Sequence, residues 1–300
     1  MKKTLLTICL VWMCFSLSAQ KIIDLSGKWS FSIDRQDNGE KEKWFSHTLN
    51  DCINLPGSTP EKLKGDEVTA KTQWTGSLYD SSYYYNPYME KYRKEGNIKF
   101  PFFLTPDKHY VGAAWYQKEV NIPADWKGER ILLFLERPHI ETTVWVNGQK
   151  TGMQNSLCVP HQYDITRYVR PGKCTITIRV DNRTKEINVG PDSHSITDQT
   201  QGNWNGIVGR ICLQTTPKTY FDDIQIYPEP EQKLARVKVV IKGAGITKIK
   251  LSAESFNTDK KHIVPAIQQE IKLNKGVTET EMVLPMGNDM LLWDEFHPAL

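Results

Sequence analysis

The residues with most to offer chemically lie in two stretches. The first is Ser193-His-Ser-Ile-Thr-Asp-Gln-Thr-Gln-Gly-Asn-Trp-Asn205, which mixes an acid, amides, hydroxyls, a histidine and an indole within one short run. The second is a segment spanning residues 58–110, crowded with Trp74, Tyr79, Tyr83, Tyr84, Tyr85, Tyr88 and Tyr92. Planar aromatic faces beside short polar groups are what is needed to hold a flat polyhydroxylated ring. Acid–base chemistry has fewer candidates. The carboxylate pairs Asp222-Asp223 and Asp294-Glu295 are sequence neighbours, and neighbours on a strand point to opposite faces. A solvated surface role suits them better than a shared reaction centre. His47, His109, His139, His161, His262 and His297 show no ligand spacing, and no Cys-x-x-Cys is present, so neither a metal nor another cofactor is expected.

The elements that must position these groups read as β throughout. Ile131-Leu-Leu-Phe-Leu135 is a short, wholly apolar run suited to a strand buried on both faces. Asn147-Gly148, between apolar alternations, is a hairpin signal, because both residues tolerate positive φ. Pro171-Gly172 is a turn, and Cys174, Ile176, Ile178 and Val180 then alternate at period two. Gly206 to Leu213 continues as a strand. In the long insertion, Asn86-Pro87 predicts the start of one short helix and Gly96 its stop. Trp115, Trp126 and Trp145 sit at strand or turn positions where packing in a core is expected.

The N-terminus has the build of a secretory signal peptide, residues 1–19: Lys2 and Lys3, an apolar run from Leu5 to Leu17, and small residues before Gln20. Cleavage after Ala19 and a periplasmic or secreted destination are expected. No later segment is apolar enough to span a bilayer, so no membrane association is expected after cleavage. The formal charge of +3 becomes +1 without Lys2 and Lys3, which offers nothing to attract nucleic acid. An oxidising compartment permits disulfides among Cys52, Cys158, Cys174 and Cys212, and three pairings are open.

Several fragments, in order, resemble the sugar-binding domain of glycoside hydrolase family 2. They are Asp24-Leu-Ser-Gly-Lys-Trp-Ser-Phe31, Leu55-Pro-Gly-Ser58, Gly112-Ala-Ala-Trp-Tyr116 with Ile122-Pro-Ala-Asp-Trp126, and Val144-Trp-Val-Asn-Gly148 with Gly152. Tyr163-Asp-Ile-Thr166, Arg179-Val-Asp-Asn182 and Gly206-Ile-Val-Gly-Arg210 follow. Leu292-Trp-Asp-Glu-Phe-His-Pro-Ala-Leu300 is similar to the segment that closes the family's second domain. The resemblance implies an all-β chain: a jelly-roll, galactose-binding-like β-sandwich over 20–217 carrying the insertion 58–110, then a small immunoglobulin-like β-sandwich over 218–300 without its last strand. In the latter, strands are expected at 221–227, 235–241, 248–253, 270–273 and 279–284.

The resemblance also implies that the two catalytic glutamates belong to a barrel following this region, so that the chain alone is expected to be inactive. Its partners would be a β-linked glycan or glycoside and that missing or separate catalytic barrel. The family's loop before the Gly-Ile strand carries an aspartate that bonds a sugar hydroxyl, and Asp198 is its nearest match here, with Thr200 or Gln201 as alternatives. His194, Gln199, Asn203 and Trp204 are the accompanying candidates. Packing under the loop for Trp204, and a loop-shaping turn for Asp198, are the structural alternatives. Two other functions stay open: a stand-alone carbohydrate-binding protein and a structural module without a sugar site.

Overall fold

The computed structural model describes residues 20–76, 81–101, 105–185, 193–194, 197–200 and 202–299. The expected signal peptide, Tyr79 and Gln201 lie outside these. The chain divides into two compact units, Met1–Thr216 and Pro217–Leu300. In chain order the strands of the first are β1 (Ile22–Asp24), β2 (Gly27–Asp34), β3 (Asp51–Leu55), β4 (Gly57–Ser58), β5 (Asp66–Glu67), β6 (Lys108–His109), β7 (Ala113–Ile122) and β8 (Arg130–Leu135). They continue with β9 (Pro138–His139), β10 (Glu141–Val146), β11 (Gln149–Asn155), β12 (His161–Asp164), β13 (Gly172–Asp181), β14 (Gly206–Ile207) and β15 (Ile211–Thr216). The second unit holds β16 (Tyr220–Glu229), β17 (Leu234–Phe256) and β18 (Lys261–Pro285).

The first unit is a β-sandwich. A six-stranded sheet, β11-β10-β13-β7-β2-β3, and a four-stranded sheet, β1-β15-β8-β12, supply one joint core. Alternation decides which side chains enter it. On β13, Cys174, Ile176, Ile178 and Val180 are buried in that core, whereas Arg179 and Asp181 belong to the opposite face. On β8 every residue from Ile131 to Leu135 is buried, Phe134 beneath the Arg210 guanidinium at 4.8 Å, as the unbroken apolar run predicts. Asn147 and Gly148 take φ values of 49° and 77° and join β10 to β11 in the expected hairpin.

Trp29, Trp115, Trp126 and Trp145 are core residues, though not all of one core. Trp29 and Trp126 belong to the cluster between the sheets. Trp115 and Trp145 stack on each other at 5.0 Å in a second cluster with Leu49, against which Trp44 and Phe45 pack. The outer face of Asp34 is equally occupied: its carboxylate accepts bonds from the N–H groups of Asn38 and Gly39 and from Trp115 Nε1. Beside them Asp181, fully buried, receives Arg179, Arg183 and Lys185, and these cations hold its carboxyl well below the usual range despite burial.

The first and last strands of this unit meet in one sheet. β1 pairs with β15, and Lys21 N donates to Thr215 Oγ1 at 3.1 Å across 194 residues. Among the described residues Cys52, Cys158, Cys174 and Cys212 are free, Cys174 and Cys212 buried and Cys52 and Cys158 exposed, and none of the three pairings is present.

The insertion has a small core of its own. Tyr83 stacks on Phe100 at 4.7 Å, Phe100 meets Trp74 edge-on at 4.9 Å, and Trp74 lies against His109 at 4.6 Å. Pro87–Tyr92 is the expected short helix, of 3-10 type, and the Asn86 side chain accepts its Tyr88 N–H. A single α turn, Ser82–Tyr85, precedes it where no helix is expected.

The second unit has one sheet, β16-β17-β18. The five strands expected there are present as three, because 235–241 and 248–253 both fall within β17 and 270–273 and 279–284 both within β18. Gly243, Gly245 and Gly276, at φ 152°, 96° and 104°, lie between the expected strands and serve as irregularities within one ladder, where the register shifts between Gly243 and Gly245. Val237, Val239, Ile241, Ile249, Ile271, Leu273 and Met282 make its core. Of the acid pairs, Asp222 is the extra residue of a bulge and bonds Lys242 at 2.9 Å, and Asp294 caps a turn by accepting the Phe296 and His297 N–H groups.

Candidate functional site

A short three-stranded sheet, β4-β14-β9, brings the loop before β14 against the segment 137–140 and the start of the insertion. Glycine makes this approach possible. A Cβ on Gly206 would lie 2.4 Å from the Gly57 carbonyl oxygen, and its φ of 142° is itself one that glycine favours.

Behind that sheet, asparagines replace ladder hydrogen bonds. Asn205, fully buried, accepts the Tyr116 hydroxyl at 2.7 Å and donates to the carbonyls of Gly112 and Val180, both at 2.9 Å. Asn182 accepts Gly112 N at 2.8 Å and donates to Tyr110 O and Asn203 Oδ1. Asn203, also buried, donates to Asn182 O and Thr75 Oγ1. The network is satisfied on every amide, which is the condition under which a buried polar cluster rigidifies its surroundings.

Asp198 is only 3% exposed. One carboxylate oxygen accepts Thr75 N at 2.6 Å and the other accepts Asn203 N, while Asp198 N donates back to Thr75 O at 3.1 Å. The aspartate therefore latches loop to insertion. Thr200 also shapes the loop, its hydroxyl donating to His194 O at 2.7 Å. His194 is exposed and Gln199 half-buried. Trp204 is half-buried, not packed wholly beneath the loop, and its ring stacks on His139 at 4.5 Å and 23°. Burial pushes His139 down to about 4, against the pull of a hydrogen bond that its ring donates to the Asn203 side chain, so the imidazole is neutral near pH 7.

Of the five candidates, the structure thus joins Asp198 and Asn203 in one buried network and sets Trp204 beside it on His139. Sequence reasoning missed His139, Asn182, Asn205 and Thr75. Asn182 and Asn205 carried a faint signal, since Asn182 ends one family fragment and Asn205 closes the polar stretch just before another, and neither is needed for a turn. His139 and Thr75 carried none. Among the described residues no cluster of three or more His, Cys, Asp or Glu could hold a metal ion, and no helix is long and apolar enough to cross a membrane.

The family model for the glycosyl hydrolases family 2 sugar binding domain matches residues 22–217, which takes in the sandwich, the insertion and the loop. The chain belongs to glycosyl hydrolase family 2. Human β-glucuronidase is 24% identical over 258 residues, 76% of this chain and 34% of the relative. A β-galactosidase of Thermoanaerobacter pseudethanolicus is 24% identical over 197 residues, 61% of this chain and 26% of the relative. The family 2 chain described here thus spans about a third of the length of the curated relatives it matches. Its fold is similar to that of a β-glucuronidase from an uncultured Clostridium, with a TM-score of 0.53 at 20% identity over 90% of this chain and 40% of the other. It is likewise similar to a Bacteroides uniformis β-glucuronidase, with a TM-score of 0.54 at 16% identity over 89% and 28%.

Proposed function

We propose that this chain supplies the non-catalytic, carbohydrate-binding part of an exported family 2 β-glycosidase, with the loop 193–205 forming one wall of the sugar pocket. The observation that carries this reading is the Trp204–His139 stack held on a fully satisfied amide network. A partly open, immobile aromatic face suits the apolar side of a pyranose ring, and a neutral imidazole beside it can still donate or accept one hydrogen bond. His194 and Gln199 reach solvent from the loop, and they would meet hydroxyls. Asp198 acts through the loop by fixing its path. Relatives named β-glucuronidase and β-galactosidase support a β-linked glycoside as the ligand.

Retaining hydrolysis needs two carboxyl groups about 5–5.5 Å apart across the bond. Asp222 and Asp294 are engaged in a bulge and a turn, so the reading assigns the acid and the nucleophile to a barrel outside residues 20–299. Two measurements test it. Titration with methyl β-glucuronide, galactoside and mannoside should show binding to one of them that Trp204→Ala weakens about tenfold, the scale of one lost ring contact and its hydrogen bonds. Aryl β-glycosides should not be turned over by the purified chain. Turnover abolished by one carboxylate substitution within residues 20–299, or binding indifferent to Trp204→Ala, would overturn the proposal. Export is part of the same reading, and mass spectrometry of the mature N-terminus should find Gln20 first.

A further inference from the structure

Asparagine is followed by glycine at three places, 38–39, 147–148 and 205–206. This pair carries a reaction of its own. The glycine nitrogen gives its proton to hydroxide and attacks the asparagine Cγ. The bond from Cγ to the side-chain nitrogen breaks, and that nitrogen leaves as ammonia. Water then opens the cyclic imide at either carbonyl, leaving aspartate or isoaspartate. Glycine favours the attack because no Cβ shields its nitrogen and its backbone turns freely. In sequence the three pairs are equivalent. The fold makes them unequal.

At 205–206 the electrophile is locked. Asn205 is fully buried, and its side chain would have to abandon the Tyr116 hydroxyl and the carbonyls of Gly112 and Val180 before Cγ could turn. At 38–39 the nucleophile is locked. Gly39 is buried, and its N–H donates to the Asp34 carboxylate at 2.8 Å, an acceptor that opposes loss of the proton. A Cβ on Gly39 would lie 2.5 Å from Trp115 Nε1, so the glycine is also walled in.

At 147–148 neither lock is present. Asn147 is exposed at the tip of the β10–β11 hairpin, and a Cβ on Gly148 would meet nothing within 4 Å. The Gly148 N–H has no hydrogen-bond partner among the described residues. What restrains the Asn147 side chain is a pair of exposed bonds: Oδ1 accepts Thr175 N at 2.9 Å, and Nδ2 donates to Tyr168 O at 3.2 Å. Water replaces such bonds at small net cost.

We propose that Asn147 is the site at which this chain deamidates, with water as the co-reactant, and that the reaction unfastens the hairpin from the segment 168–175. Aspartate would set a carboxylate against the Tyr168 carbonyl where an amide now donates. Isoaspartate adds a methylene to the backbone of a two-residue turn that fixes Val146 opposite Gln149. The strand released, β11, is the edge of its sheet and has β10 alone to hold it. The inference goes beyond the binding role proposed above and touches the loop 193–205 only in sparing Asn205.

The test ages the full chain in mildly alkaline buffer, folded and in guanidinium, and follows the three pairs by peptide mapping and mass spectrometry, with isoaspartate detected by enzymatic methylation. In guanidinium all three should react at comparable rates. In the folded chain Asn147 should lead Asn38 and Asn205 by about tenfold or more, since reaction there waits on breaking buried hydrogen bonds. Asn147→Ser should remove most of the ammonia that the folded chain releases and leave the other two pairs unchanged. The aged chain should exchange the amide hydrogens of β11 faster than the fresh one. Asn38 or Asn205 keeping pace with Asn147 in the folded chain would overturn the assignment. So would a folded Asn147 that stays intact while the unfolded chain reacts to completion. Unchanged exchange in β11 after modification would overturn the unfastening.

Discussion

The sandwich and the sheet of the second unit use the same alternating pattern to different effect. Cys174, Ile176, Ile178 and Val180 on β13 are at most 3% exposed. Ile224 and Ile226 on β16 stand opposite Val239 and Val237, hence on the same face, yet they are 49% and 65% exposed where their partners are 2% and 5%. Alternation chooses a face. A core forms only where that face is covered, and in the second unit the cover reaches Val237 and Val239 on β17 but not Ile224 and Ile226 on the edge strand β16. An uncovered edge strand with apolar side chains is a template for pairing with another chain.

The largest expected contrast comes from Leu133→Ala. Leu133 is fully buried in a strand with sheet neighbours on both sides, and removing it should cost the first unit about 2–5 kcal/mol in urea unfolding read by tryptophan fluorescence. A loss below about 1 kcal/mol would mean that the sandwich is as loosely filled as the second unit. Next is Asn205→Ala. It strands the Tyr116 hydroxyl and two carbonyls in a buried site, for an expected loss of about 1–3 kcal/mol, and should loosen hydrogen exchange at Gly112 and Val180.

Acid should separate the units a third way. The folded state holds His139 near 4, below its ordinary 6.5, so between those values the unfolded chain binds the extra proton and stability falls as pH falls. Asp181 is depressed instead. Its contribution is complete above the ordinary carboxylate range and is lost on further acidification, below about pH 4. The first unit's melting temperature should therefore decline from pH 6.5 to 4 and more steeply below. His139→Gln should flatten only the upper part of that decline. A flat profile in the wild type would remove the case for a desolvated His139. The smallest effect is expected from Ile226→Ala, within about 0.5 kcal/mol, since most of that side chain is already in water. A loss of 2 kcal/mol would show that the edge of β16 is covered in solution.

Local chemistry was legible in sequence where a residue type had one available use. Asn147-Gly148 could hardly be other than a tight hairpin turn, Ile131 to Leu135 had no polar side to show, and Asn86-Pro87 announced a helix start. The glycines of the second unit had two uses, turn and bulge, and the choice depended on whether partner strands stayed paired through them, which is a property of the ladder and not of the glycine. The loop was legible as polar and aromatic, but its internal division of labour was not. Whether Asp198 faces a ligand or the backbone depends on Thr75, which lies 123 residues away. His139 acquired its role from Trp204 across the β14–β9 pairing, and nothing adjacent to it in sequence hints at that.

The pairing of β1 with β15 also sets a schedule. The opening strand of the sandwich has no neighbour in its sheet until Cys212 to Gln214, the partners of Asp24 to Ile22, have been made. At about 5–20 residues per second that interval is about 10–40 s. Until then the sheet opposite β2 and β7 has only β8 and β12, paired with each other, and β1 waits without its neighbour. A nascent chain paused between Asp164 and Ile211 therefore leaves one side of the core uncovered, and the demand for a chaperone should fall once β15 emerges and bridges β1 to β8.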